Sequence, residues 1–491
     1  VDGTTSSLVL QSACNLIGIQ QSNIEFFIPS RFTDGYGFTS SAVQFAQKEN
    51  VSLIITADIG VRDHASVTEA VELGIDVIIC DHHLPPGESV PPNALAVLCP
   101  PQEACSYPNA ALAACGVSLK LMQALLAETR DTIAVDNILR NAMKIVAIGT
   151  VADVVSLATL ENRAIVSIGL QELAKMNNHK PGLKALLKVS DVTGHPTTTE
   201  IGFRIAPRIN AAGRMGSAKV VVEMFKAKND KEALAFAKIL DDRNKERQEA
   251  QAAMIRQIDA QLVGDLPDFI VIQGEEVEGF HRGIVGIVAG KIKEKYYRPT
   301  AVISILEDGS CSASIRSPSE VHAVKALDYC ADLLLRYGGH AAAAGFGVER
   351  ENIEALKQRL NEYVQKTVDL RNLYPTIDCA VKCAVKDLDL RAITALNQLG
   401  PFGQKNPKPK FWIRDVKPER MKLLGAEQKH LSFWVKNEET GRTVKCLWWS
   451  GAEYMNQLRT GRFDLVVRPE LNRWQERTSV QFVIQDALAL D

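Results

Sequence analysis

The sequence predicts an α/β protein built in series: a parallel-sheet domain, a long helical connector, a second α/β domain and a C-terminal β-barrel. Three observations predict it. Short apolar runs that end in polar clusters alternate with helical stretches through residues 1–125 and again through 268–350. A 22-residue run without Gly or Pro, Asp241–Leu262, lies between the two regions. After about residue 370 the chain changes to short alternating strands, and all five tryptophans fall there.

The elements follow in order. "TSSAVQFAQKEN" (39–50) reads as a helix and "SLIITADIG" (52–60) as a buried strand ending at Asp58. "HASVTEAVEL" (64–73) places Val67, Ala70 and Val71 on one helical face, and "DVIIC" (76–80) is the next strand. Strand, helix, strand at this spacing is a βαβ unit, so the sheet is parallel with both faces covered. Residues 160–262 read as helical, with Met254, Ile258 and Leu262 on one stripe of a connecting helix. "DFIVIQG" and "PTAVISIL" are strands around the helical "GIVGIVAGKIKEKY". "HLSFWVKN", "TVKCLWW", "FDLVV" and "TSVQFVIQD" have the alternation of a small barrel or sandwich.

Bulk properties narrow the function. A chain of 491 residues suggests roughly three domains at about 150 residues each. The 46% hydrophobic and 23% charged composition is that of an ordinary globular protein, and no apolar run approaches the ~18 residues of a membrane span. The formal charge of −2 confines any nucleic-acid site to a local patch. Ten cysteines without a CxxC pair suit structural thiols in a reducing compartment, so a cytoplasmic location is expected. The sequence opens on Val1, so a fragment is expected, and a targeting segment ahead of it stays open.

Chemistry concentrates at strand ends, where open parallel sheets bind ligands. Asp58 follows one strand and Asp81, His82 and His83 follow another, while Asp153 is a lone acid in the apolar "KIVAIGTVADVVSL". Taken singly, Asp58 is more often structural, Asp81 could cap the following turn, and Asp153 is about evenly structural or functional. Adjacent histidines after a buried strand favour metal. Oxygen ligands with imidazole suit Mn²⁺, Mg²⁺, Fe or Zn²⁺. Two such ions would clamp the attacking and leaving oxygens of a phosphoryl transfer.

Cations for phosphate stand elsewhere: Arg31 near Tyr36, Arg208, Asn210 and Arg214 in "APRINAAGR", Ser314, Arg316 and Ser317 in "SASIRS", and Gly338, Gly339 and His340 in "RYGGHAAAAG". Singly, each arginine is more often a surface charge, and the alanine run after His340 more often packs a helix. The run from Gln404 to Lys422 interleaves seven cations with Phe411 and Trp412, the makings of a base-stacking groove. Most tryptophans, Trp434 and Trp448 among them, are nevertheless expected in the barrel core.

"DHH" after a strand is the signature of the DHH phosphoesterase family. "VDGTTSS" resembles the tail of that family's opening aspartate motif, and "TADIG" and "GTVADVV" its second and fourth motifs. "IPSRFTDGYGF", "ENRAIVSIGL", "GFRIAPRINAAGRMGSA", "GIVGIVAGKI", "RYGGHAAAAGF" and "PFGQKNPKPKF" extend the resemblance, in order, to its single-strand-specific exonucleases. The resemblance implies a DHH domain over 1–190, a connector over 191–262, an associated substrate-binding domain over 263–365 and an OB-fold over 372–491. It implies two divalent ions, Mn²⁺ or Mg²⁺, with Asp58, His82 and Asp153 as ligands, His83 on the scissile phosphate, Asp81 supporting the motif and Asp2 as the last acid of the first motif. Two further acids of that motif would precede Val1, and a chain starting at Val1 is expected to bind metal poorly. Arg31, Ser314 and Arg316 match a pocket for the 5′ end. The "PRINAAGR" arginines and the Gly-Gly-His motif match contacts to the terminal nucleotides. Departures are Leu98-Cys99-Pro100, where Asn-Pro is usual, and Ala114, where glycine is frequent.

The implied activity is 5′→3′ release of mononucleotides from single-stranded DNA in repair and recombination. A single-strand-binding protein and a repair helicase are the implied partners, with no membrane and a monomeric state. The alternatives are a phosphodiesterase of short RNA or cyclic dinucleotides and a non-catalytic DNA-binding scaffold.

Overall fold

The computed structural model describes residues 1–491 except 31–33, 36, 86, 88, 128–131, 370–372, 438, 476 and 491. Arg31 and Tyr36 lie outside the described residues.

The first sheet has three parallel strands, β1 (Leu53–Ala57), β2 (Asp76–Cys80) and β3 (Ala96–Leu98), in that order. One face packs on α2 (Ser40–Lys48) and α3 (His64–Glu72) through Val43, Val67, Val77 and Ile79. The other face carries Cys80 against α1 (Asp2–Leu16), α4 (Ala114–Leu126) and α5 (Thr132–Ala152). The ladder continues one residue past each strand: Asp58 N–H donates to Cys80 O and Asp81 N–H to Leu98 O, both 3.0 Å. The two acids are therefore fixed at one level on the sheet's carboxyl edge.

Helices α6 (Leu160–Leu173), α7 (Pro181–Val189), α8 (Thr198–Glu200), α9 (Ala206–Met215) and α10 (Lys219–Lys226) follow, with a π-helical turn, Ile201–Ile205, joining α8 to α9. The connector, α11 (Asp230–Gln261), starts earlier than expected because Asn229 caps it, its Oδ1 accepting from Glu232 N–H at 2.9 Å. At ~1.5 Å per residue it spans ~48 Å. Its Ala233, Ala237 and Leu240 enter the helical core, and Met254 and Ile258 enter the core of the next domain. One helix thus ties two cores together.

That domain is a mixed sheet of β4 (Ile270–Glu275), β5 (Thr300–Ile305), β6 (Cys311–Arg316), β7 (Leu334–Gly339) and β8 (Ala343–Val348), in the order β4-β5-β6-β8-β7. Helix α12 (Val285–Tyr296) covers one face. The alanines after His340 pack no helix: Ala341 and Ala342 make a tight turn, closed by His340 N–H donating to Ala343 O at 2.8 Å, and Ala343 and Ala344 begin strand β8.

The C-terminal part is a seven-stranded sheet of β9 (Val381–Cys383), β10 (Phe411–Val416), β11 (Pro418–Leu424), β12 (His430–Lys436), β13 (Thr443–Trp448), β14 (Arg462–Trp474) and β15 (Arg477–Leu490). Phe411, Phe433, Leu465 and Phe482 build its core. Among the described residues, no helix is long and apolar enough to cross a membrane.

Candidate metal centre and nucleic-acid interface

Five groups from four elements meet at the carboxyl edge of the first sheet. His82 Nε2 stands 3.2 Å from Asp58 Oδ1, 3.5 Å from Asp153 Oδ2 and 3.7 Å from Asp2 Oδ2. Asp58, His82 and His83 form one cluster of metal-ligating atoms, and Asp2, His82 and Asp153 a second that shares His82. Ligand atoms on neighbouring corners of an octahedron with ~2.1 Å bonds lie ~3 Å apart. The donor set and spacing fit two hard divalent cations.

Small residues let these elements approach. A Cβ on Gly3 would stand 3.1 Å from Ala57 O and 3.3 Å from Asp58 Cβ. One on Gly149 would stand 2.3 Å from Thr5 Oγ1 and 2.6 Å from Cys115 Sγ. These two glycines allow α1 to press on β1 and α5, which brings Asp2 to Asp58 and Asp153. Asp2 is then gripped from α4: its Oδ2 accepts from Ala114 N–H at 2.7 Å and its Oδ1 from Cys115 N–H at 2.9 Å. The start of a helix favours negative charge there. Asp153 caps no strand; it follows the last turn of α5, its N–H donating to Gly149 O at 2.9 Å. Asp58 and Val154 both have left-handed backbones, φ 69° and 60°. For a β-branched valine this is an outlier, the kind of strain that clusters at functional sites.

Asp81 is buried and acts as a hub, accepting from Val61, His82 and His83 N–H and from His83 Nδ1 at 2.7 Å. Its bonds to the His82 and His83 N–H groups make it a cap of the turn that follows β2. With Nδ1 so engaged, His83 is left to present Nε2 outward.

The electrostatics are those of carboxylates crowded around one imidazole. Burial, then the charge of Asp2, pushes Asp153 up to about 7. Burial works against a charged His82, but the hydrogen bond to Asp58 and the charges of Asp2 and Asp153 outweigh it and lift the imidazole to about 9. Below these values the site holds protons that a cation must displace; above them the ligands are free. Apparent Mn²⁺ affinity is therefore expected to rise with pH from about 7 to 9, with protons released on binding. Calorimetry in buffers of different ionisation enthalpy measures this, and an affinity flat above pH 7 contradicts it.

The substrate candidates form two groups. On α9, Arg208 is held by Asp241 of α11 at 2.8 Å, Arg214 Nη1 donates to Gly283 O at 3.1 Å, and Asn210 Oδ1 accepts from the Val1 amino group at 3.4 Å. On β6, Arg316 donates to Ser314 Oγ and Ile315 O, both 2.7 Å, and faces the start of α12. A Cβ on Gly286 there would stand 2.9 Å from its Nη2. No carboxylate pairs with this half-buried guanidinium among the described residues. Ser317 is buried, with its N–H donating to Ala342 O. His340 is exposed in the β7–β8 turn. Gly338 and Gly339 are paired with Gly345 and Ala344 in edge strand β7, not in a free anion-binding loop as expected. At Gly339, φ is 152° and a Cβ would meet Ala343 O at 2.4 Å, so close chain packing requires the glycine.

The stacking groove expected at Phe411 and Trp412 is also corrected. Phe411 alternates into the core, and Trp412 lies under Lys382 Nζ, 4.0 Å from its ring centroid, with Nε1 donating to Asp464. Trp448 is buried and stacked on Tyr454, Trp434 is half-buried, and Trp449 is 56% exposed with His430 edge-on at 5.0 Å.

A cavity of about 510 Å³ where the helical part meets α12 and the C-terminal domain is lined by Lys408, a cation of the Gln404–Lys422 run, and by Phe203, Arg247 and Arg468, which had no earlier role, beside Asn210 and Arg214. Phe203 is 80% exposed on the π-turn. That turn breaks the 3.6 period, so periodicity gave no sign of it. Arg247 stood unremarked in a charged helix.

Sequence profiles match in the order of the folded parts: "DHH family, N-terminal domain" over residues 1–150, "DHHA1 domain" over 270–366 and "RecJ OB domain" over 377–486. The single-stranded-DNA-specific exonuclease RecJ of Dickeya dadantii is 32% identical over 99% of this chain and 85% of its own length. The chain belongs to the RecJ family. The Bacillus subtilis RecJ is 34% identical over 99% of the chain, which spans 60% of that relative's length. The crystal structure of Thermus thermophilus RecJ in complex with Mn²⁺ superposes with a TM-score of 0.81 at 29% identity, covering 100% of this chain and 68% of that one. The RecJ fold thus accounts for the α/β architecture and its C-terminal OB domain.

Proposed function

We propose that the protein is a divalent-metal-dependent exonuclease that removes mononucleotides from the 5′ end of single-stranded DNA. The observation that carries this reading is the convergence of Asp2, Asp58, Asp153, His82 and His83 on one sheet edge. The Mn²⁺-bound relative, and the name its homologues carry, support it.

In this proposal Asp58, His82 and Asp153, with Asp2 beside them, would hold two Mn²⁺ or Mg²⁺ ions. The ions supply activation of the attacking water and neutralise charge that builds on the phosphate. His83 gains basicity from its hydrogen bond to Asp81, so it carries a proton at Nε2 toward the scissile phosphate. Arg316 and Ser314 hold the terminal phosphate, with Arg31 beside them. Arg214, Asn210, Ser317, Tyr36, Arg208 and the Gly338-Gly339-His340 turn line the terminal nucleotides. Proposed boundaries are 1–190, 191–262, 263–365 and 372–491. An exonuclease that acts on single strands does not open a duplex, so in this proposal a helicase supplies the strand and a single-strand-binding protein keeps it extended. A monomer in the cytoplasm suits ten unpaired cysteines.

Turnover of a long DNA strand is expected to exceed that of a dinucleotide, and a preference for the dinucleotide favours a phosphodiesterase of short products instead. The C-terminal domain adds grip beyond the active site through Lys408, Arg468 and the exposed Trp449. Reversing Lys408 and Arg468 to Glu is expected to weaken binding of long strands and flatten the salt dependence, since the slope of log K against log[salt] steepens by ~0.7 for each phosphate contacted. Cleavage of a very short saturating oligonucleotide should change little. An unaltered salt slope in filter binding removes the domain from the DNA path.

A further inference from the structure

The Glu161-Asn162 pair that opens α6 takes no part in the chemistry above, yet Asn162 is fully buried. Its Nδ2 donates to Ala111 O at 2.7 Å and to Ser156 O at 2.9 Å, and its Oδ1 accepts from Asn109 Nδ2 at 3.1 Å. Turning the amide over would set its oxygen against two carbonyls, so only one orientation satisfies the site. The two carbonyls belong to separate irregular segments. Ser156 is three residues past Asp153, on the strained turn at Val154. Ala111 is three residues before Ala114, whose N–H, with that of Cys115, holds Asp2.

Glu161 completes the tie. Its carboxylate accepts from Tyr107 OH at 2.7 Å and from Asn109 Nδ2 at 3.0 Å, and pairs with Lys120 Nζ at 2.6 Å. Asn109 in turn accepts from Ala111 N–H at 3.1 Å. The loop that starts α4 is thus held to α6 at several points. Such a tie answers a specific need, because Asp2 and Asp153 are like charges facing one imidazole, and their repulsion drives the segments apart.

We propose that Asn162, braced by Glu161 and Asn109, is a positioning residue that fixes the separation of Asp2 and Asp153 and thereby the site's affinity for divalent cations. The inference rests on the reading of those two acids as part of the metal centre. Asn162 touches neither the cations nor the DNA; it acts through Ser156 and Ala111.

The test is Asn162→Asp in the full natural chain, an isosteric change that replaces the donor by an acceptor facing both carbonyls. Mn²⁺ binding is read from the electron paramagnetic resonance signal of free Mn²⁺, and single-strand binding is read in EDTA. Loss of a group that orients ligands typically costs 10–100-fold in metal affinity. The expected result is a loss of about that size, unchanged DNA binding in EDTA, and turnover restored by excess Mn²⁺. Leu360→Ala, in the separate core of the second α/β domain, is the control: it destabilises without moving Mn²⁺ affinity. If Asn162→Asp does not fold, Asn109→Ala decides by the same readout, with a smaller loss in the same direction. Parent-like Mn²⁺ affinity in the folded variant overturns the proposal, as does an equal loss in Leu360→Ala. A parent that binds no Mn²⁺ overturns the metal reading itself.

Discussion

Replacing His82 with alanine in the full natural chain lowers turnover of single-stranded DNA by at least about 10²-fold. Groups that merely orient metal ligands are worth 10–100-fold, and His82 is the one side chain shared by both clusters of ligating atoms. Its loss also leaves Asp2, Asp58 and Asp153 facing one another without the imidazole between them. Binding of DNA in EDTA should survive, because Arg316, Arg214 and the C-terminal cations stand on other elements. Single-turnover rates at saturating DNA measure the first effect and fluorescence anisotropy the second. A near-normal rate at ordinary Mn²⁺ concentration contradicts the ligand assignment.

Replacing Arg316 with alanine costs affinity in a way that depends on the end of the strand. A guanidinium half-buried without a carboxylate partner among the described residues is set up to receive an anion, and burial already holds it below its usual value. Hydrogen bonds to charged groups contribute about 1.5–3 kcal/mol, or roughly 10–150-fold in binding. The loss should fall on 5′-phosphorylated strands and largely spare strands ending in a 5′-hydroxyl. Competition binding with the two strands decides it. Equal losses on both place Arg316 along the backbone path instead of at the terminus.

Much of the site was legible because strands are rigid mounts with a strict reading. "LIITAD" and "VIICDHH" each announce an apolar strand that ends in ligating groups, and the sheet places both ends at one level. The long connector was legible in part: its apolar stripe named Met254 and Ile258, while the cap at Asn229 went unread. Other features depend on three dimensions. Asp2 reaches the centre only because Gly3 and Gly149 permit close helix packing, and no local pattern announces that. The Gly338-Gly339 pair looked like an anion loop because glycine frees amides; in the fold it is close packing in an edge strand. Phe411 and Trp412 looked like a stacking surface because cations flank them, but alternation along β10 turns Phe411 inward and Lys382 covers Trp412. Glu161 and Asn162 stood in a recognisable motif without a role, since Tyr107, Asn109 and Ala111, which bind them in the loop before α4, lie more than fifty residues away.

The central claim is hydrolysis from the 5′ end by a metal centre beside a terminal-phosphate pocket. The direct measurement uses the full natural chain, Mn²⁺ and one single-stranded DNA carrying different labels at its two ends. The account predicts that the 5′ label appears first, as a mononucleotide, while the 3′ label stays on progressively shorter strands, and that EDTA stops both. Release of the 3′ label first, or of the 5′ label only within longer fragments, contradicts it.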